Sequence, residues 1–164
     1  MINNTPKKPE SLAAMRLMVS NILIAVENKF GEIVITYGFV GSELNRYIQA
    51  NSSSGTCPSI DQHASFELNT KNNPICPRAG FSCDFTVVGY EQDMTDVVEF
   101  IVNTLEYDKL YFYGANRPLH VSVNEQPQRH LQIMGHSGTG RRYPKKKAYG
   151  ENAIQLIKDI KNGC

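Results

Sequence analysis

The chain has four cysteines and no CxxC pair, so nothing in it has the spacing of a four-thiolate zinc site. No early segment has the make-up of a secretory signal. Met1-Ile-Asn-Asn-Thr-Pro-Lys-Lys8 is polar, and the apolar residues after it are periodic and interrupted by Arg16 and Asn21. No run is expected to approach a membrane span, and there are no internal repeats. Gly138-Thr-Gly140 has neither the spacing nor the following Lys-Ser/Thr of a phosphate loop. The net charge is only +1, which argues against a general polyanion binder. These absences lead to the expectation of a cytoplasmic protein, exported if at all by a route the chain does not encode. Free thiols are then the default. Cys57 and Cys76 bracket a polar segment and are the pair to consider as a bridge, while Cys83 reads as a small buried hydrophobe.

What is present is ordinary globular material, with 164 residues, 41% hydrophobic and 20% charged, enough for one domain with its own core. Leu12, Met15, Val19, Ile22, Leu23, Val26 and Phe30 recur at three- and four-residue steps, which predicts an amphipathic helix after Pro9 that stops at Gly31. Glu32–Thr36 reads as a strand entering the core, and Ser42–Ile48 as a brief helix. Residues 50–58 and 69–79 read as loops around a short strand at His63–Leu68. Strands are expected at Cys83–Val88, Leu110–Tyr113, Leu119–Val123 and Arg129–Met134, the middle two forming a hairpin, with helices at Thr95–Leu105 and Glu151–Ile160. Gly135–Lys147 reads as a basic, glycine-rich loop. The expected class is α+β, a small antiparallel sheet with helices packed on one side.

Chemistry concentrates in Ser59-Ile-Asp-Gln-His63, Gly80-Phe-Ser-Cys-Asp84 and Leu119-His120-Val-Ser122. Two imidazoles and a carboxylate beside strand-like sequence are what a Zn²⁺ ion with an open coordination position needs, although such a set also suits other divalent ions. His120 lies in an apolar strand, where an unpaired imidazole is costly, so it requires a partner. Asp84 requires one too, either a metal or a salt bridge or cap contact. His130 and His136 belong to no such motif. Arg141, Arg142, Lys145, Lys146 and Lys147 form a cationic run, read either as a solvated loop or as a contact for phosphate, nucleotide or nucleic acid.

The motif order is helix, strand, Gly-containing turn with Leu44-Asn45, Ser-x-x-x-His63, Gly80-x-x-x-Asp84-Phe85, helix, Tyr107-Asp108-Lys-Leu and His120-Val-Ser. It resembles the zinc D-alanyl-D-alanine carboxypeptidases and phage L-alanyl-D-glutamate peptidases of the hedgehog-like fold, over about residues 10–134. The resemblance implies a phage or bacterial source and a domain over 1–134 with an insertion at about 64–77, to which residues 135–164 add the basic loop and last helix. It implies Zn²⁺ held by His63, Asp84 and His120, and a peptide or peptidoglycan fragment as substrate. Ser42, Asn45, Arg117 and Tyr113 would then border the substrate groove.

Three departures stand out. Pro77 occupies the place of the family's first histidine, so His63 is displaced upstream. Arg117 stands where the general-base carboxylate is common, and no acid occurs between Asp108 and His120, leaving Glu67, Glu106, Asp108 or Glu125 as substitutes if the fold turns one inward. Phe39 stands where relatives carry an arginine for substrate carboxylate or oxyanion. Two readings follow: a zinc peptidase using a metal-activated water, or a lapsed or repurposed member that binds a ligand, partner protein or phosphorylated substrate.

Overall fold

The structure, a computed structural model, describes residues 1–51 and 61–163. Cys57, Ser59 and Cys164 lie outside the described residues, and with them the Cys57–Cys76 pairing and the serine of Ser-x-x-x-His63.

The N-terminal periodicity becomes a helix built of α1 (Pro9–Met18), a π-helical turn (Val19–Leu23) and α2 (Ile24–Phe30). Pro9 stands in the first turn, where its missing N–H has no intrahelical partner to lose, and Gly31 stops the helix at φ +100°. Ala14, Met18, Ile22 and Val26, four apart, form the buried stripe. Contrary to the expectation that no run approaches a membrane span, these 22 residues are long and apolar enough to cross one by length and composition. In the fold their stripe packs on the sheet.

Strands β1 (Ile33–Tyr37), β2 (Phe81–Val87), β3 (Lys109–Phe112), β4 (Leu119–Val123), β5 (His130–His136) and β6 (Arg142–Tyr149) form one sheet in the order β1-β2-β4-β3-β5-β6. The other helices are α3 (Ser42–Asn51), α4 (Thr95–Thr104) and α5 (Glu151–Lys161). The α+β class is thus borne out, but the sheet is mixed rather than antiparallel, because β5 runs parallel to β3. The expected hairpin is present, with Leu110 opposite Val121 and Tyr111 opposite His120.

Alternation sorts the sheet into two faces. Phe81, Cys83, Phe85 and Val87 of β2, Leu119 and Val121 of β4, Leu110 of β3 and Leu131 of β5 meet Met18, Ile22, Val97, Ile101 and Ile157 in one core. Each such side chain contributes about 1.5–3 kcal/mol by leaving water. Truncating the fully buried Phe85 to alanine would cost about 3–5 kcal/mol. The intervening residues Ser82, Asp84, His120, Ser122, Tyr111 and Gln132 leave the opposite, polar face.

Three expectations are corrected. β1 does not enter the core but forms an edge with Val34 and Ile35 exposed, since among the described residues only β2 pairs with it. His63–Leu68 is not a strand. Gln62 and Ser65 adopt left-handed φ of 62° and 49°, and hydrogen bonds from Ser65 N to Gln62 O and from Glu67 N to Ala64 O wind the segment into turns. The basic loop is largely strand β6, because the open edge of β5 supplies partners for its backbone. Pro144 is tolerated there beside the register shift between Ile133 and Met134, on the outermost strand.

Candidate metal centre

The antiparallel pairing of β2 with β4 sets Asp84 directly opposite His120, and both leave the polar face. His63 lies in the turns of residues 62–67. The turn after β1 grips it twice, His63 Nδ1–H donating to the Gly38 carbonyl at 2.9 Å while Val40 N–H donates to the His63 carbonyl at 3.0 Å. With Nδ1 so occupied, Nε2 is turned to Asp84. This segment is itself pinned to β2 and the residue before it, since Ser82 Oγ donates to the Asp61 carbonyl and Ser65 Oγ to the Gly80 carbonyl at 2.6 Å.

His63 Nε2 lies 3.3 Å and His120 Nδ1 2.8 Å from the same oxygen, Asp84 Oδ1. One donor atom from each of the three residues falls within 4.8 Å of the others. A tetrahedral Zn²⁺ with bonds of about 2.0–2.1 Å separates adjacent donors by about 3.3 Å, so the set fits a small divalent ion with little rearrangement. The Gly38 carbonyl supplies His63 with the outer hydrogen bond that ligating imidazoles generally have. His120 lacks one: its Nε2 is buried with no hydrogen-bond partner among the described residues, and its ring stacks on Tyr111 at 4.8 Å. The imidazoles keep 3% and 2% exposure and the Asp84 side chain 26%, so access is from the carboxylate side.

Burial pushes the Asp84 carboxyl upward, but hydrogen bonds from His120 and His63, and their charges, outweigh it and hold the group at about 2. A second carboxylate, Asp61, two residues before His63, lies close enough to feel the cluster's charges. Asp61 is raised above its ordinary value, mainly by burial, with the charges of His120 and His63 pulling it down and Asp84 pushing it up. Asp61 went unread in the sequence. Its signal was the spacing Asp-x-His, two residues ahead of His63, and it was not among the expected substitutes Glu67, Glu106, Asp108 and Glu125.

Of the four acids expected as substitutes, two are engaged within the fold and two are exposed. Glu67 is buried and accepts from Lys7 N, Lys8 N and Ser11 Oγ at the start of α1. Asp108 pairs with Arg78. Glu106 and Glu125 are exposed.

Three tyrosines surround the cluster. Tyr37 sets its ring edge-on to His63 at 4.5 Å, and its hydroxyl is buried without a hydrogen-bond partner among the described residues. Its phenol is raised by burial and by the charges of Asp84 and Asp61. Tyr111 is pushed up to about 12, chiefly by burial. Tyr113 is raised in the same way, with Asp61 and Asp84 adding to burial, and the Arg142 guanidinium stacks over its ring at 4.6 Å.

Of the other expected groove residues, Arg117 is exposed in the β3–β4 turn, with no side-chain ion pair or hydrogen bond among the described residues. Ser42 lines a cleft with Lys7, Lys8 and Glu67, and Asn45 is buried in α3. Among the described residues neither is hydrogen-bonded to His63, Asp84 or His120. His130 stacks on Tyr149 at 4.6 Å on the polar face, and His136 Nε2–H donates to the Tyr113 carbonyl. Arg141, Arg142 and Lys145 to Lys147 are all exposed on or beside β6.

No protein-family model, curated protein or solved structure matches this chain.

Proposed function

We propose that the chain is a zinc-dependent peptide or amide hydrolase of the hedgehog/D-Ala-D-Ala peptidase type, acting on peptides such as peptidoglycan stem fragments. The observation that carries this reading is the convergence of His63 Nε2 and His120 Nδ1 on one Asp84 oxygen, at spacings close to the edge of a zinc tetrahedron and open to solvent on one side. Zn²⁺ held there supplies an acidified water and a Lewis acid for the scissile carbonyl.

The chain's own residues provide the rest. Asp61, a raised carboxyl in the field of both imidazoles, is the general base: it takes up the proton released on attack and returns it to the leaving amine. It thereby fills the role left open at Arg117. Tyr37 stays protonated and carries an unpartnered buried hydroxyl, which offers a donor to developing negative charge where Phe39 replaces the family's arginine.

Elemental analysis and peptide cleavage test the reading together. The wild-type protein is expected to hold about one zinc per chain, in keeping with a single three-ligand site, and to cleave a stem peptide. Asp61→Asn is expected to retain the zinc and lose turnover by about 10²–10⁴-fold. Full zinc content in His120→Ala overturns the ligand set. Zinc uptake without cleavage of any stem peptide overturns the hydrolase and leaves a metal-dependent binding protein.

A further inference from the structure

A single register row crosses all six strands on the polar face. Tyr37 is opposite Asp84, Asp84 opposite His120, His120 opposite Tyr111, Tyr111 opposite Gln132, and Gln132 opposite Lys147. Directly paired residues project from the same face of a sheet, so the triad and Lys147 look onto one surface. Three strand spacings of about 4.8 Å put Lys147 roughly 14 Å from His120 along that surface. The neighbouring row sets Lys109 opposite His130 and His130 opposite Tyr149. Towards the hairpin tip, His136 is opposite Arg142, an even number of residues from Gln132 and hence on the same face.

Side-chain contacts agree with the register. Arg142 stacks over the ring of Tyr113, whose phenol is raised by burial and by the charges of Asp61 and Asp84 and lowered by Arg142. The polar face therefore runs from an acidic metal centre, past tyrosine rings, to a cationic edge strand that stays exposed.

We infer that Arg142 and Lys147 form an anion subsite of this groove, and that its ligand is an extended peptide bearing a carboxylate side chain three to five residues from the bond at the metal centre. At about 3.3 Å per residue, that separation spans the distance from triad to edge strand. The inference rests on the hydrolase reading for what happens at the metal end. Charge complementarity selects the occupant. Among the described residues the exposed cations of this face lie on the β6 edge, with the half-buried Lys109 beside His130 in the neighbouring row, and the chain's net charge is +1, too little for tracking a phosphate backbone.

The test is equilibrium binding of two N-acetylated, C-amidated hexapeptides that differ by Glu or Gln at one position, with zinc content measured separately on every sample. The Glu peptide is expected to bind wild-type protein at least about tenfold more tightly, a gap typical of one charge-assisted contact. Arg142→Gln/Lys147→Gln should erase that preference with zinc content unchanged. Lys158→Gln, an exposed charge on α5, should leave it intact. Equal affinity for the two peptides, or no binding of either, overturns the subsite. So does tighter binding of a single-stranded oligonucleotide that the double substitution abolishes. A protein that discriminates between the peptides yet takes up no zinc overturns the hydrolase reading and leaves the subsite standing.

Discussion

Arg78 and Asp108 meet through two parallel hydrogen bonds, Nε to Oδ2 at 2.7 Å and Nη2 to Oδ1 at 2.6 Å, with the Asp108 side chain entirely out of water. The carboxylate also accepts from Gln62 Nε2 at 3.2 Å and from Gln128 N at 2.9 Å. One buried charge thereby ties Gln62, beside His63, to the start of β3.

Breaking that pair from either side should not be symmetrical. Arg78→Met leaves a buried carboxylate without its counter-charge and is expected to cost about 3–5 kcal/mol. Asp108→Asn leaves Arg78, 27% exposed, to be hydrated and should cost less. Urea unfolding of the two variants measures the difference, and equal costs would mean that the buried charge is not the governing element.

Zinc should stabilise the folded chain by mass action, because the unfolded chain does not hold the three donors together. At a free concentration about a hundredfold above Kd the gain is about 2.7 kcal/mol. For a domain of this size that corresponds to a rise in Tm of roughly 5–10 °C, reversed by a chelator. In His63→Ala the shift should vanish.

Asp84 gives the metal-free protein an acid-sensitive element. Its folded value is depressed from 3.8 to about 2. The associated stability is therefore present above the ordinary carboxylate range and is lost as pH falls through about 2. The shift corresponds to about 2 kcal/mol. Denaturation midpoints between pH 2 and 6 should show wild type falling toward Asp84→Asn at the acid end, with the gap open at the upper end.

Gly80→Ala should be poorly tolerated. Its φ is +112°, and a Cβ there would overlap the Val123 carbonyl oxygen and come within 2.9 Å of Gln62 Nε2. A loss of about 2–4 kcal/mol is expected by thermal unfolding. Gly89→Ala shares a positive φ but has open space around it, and should lose less.

Much of the site was legible because β-strand chemistry is local. Alternation around Cys83-Asp84-Phe85 and Leu119-His120-Val121 already required the two polar residues to leave the face opposite the core. The first helix was legible by its period, but its buried face only in part: Ile22 and Val26 of the expected face are buried, Leu12 and Val19 are exposed, and Ala14 and Met18 complete the stripe. Asp61 was not, because its place depends on a left-handed turn at Gln62 and on Ser82 holding its carbonyl, neither of which has a periodic signature. β6 was not legible either. Gly, Pro and Lys favour a loop in isolation, and the strand exists because β5 offers it an unpaired edge.

The sequence by itself determined which residues are apolar and at what period, and so the helices, most of the strands and the two motif residues Asp84 and His120. Only the tertiary structure decided that β5 lies parallel beside β3, that His63 turns Nε2 to the same carboxylate oxygen as His120, and that Lys147 and Arg142 share the face of the triad. Period is written in neighbouring residues. Pairing between distant strands, and the register that lines up Tyr37, Asp84, His120, Tyr111, Gln132 and Lys147, depends on which backbone edges remain unsatisfied once the core has formed.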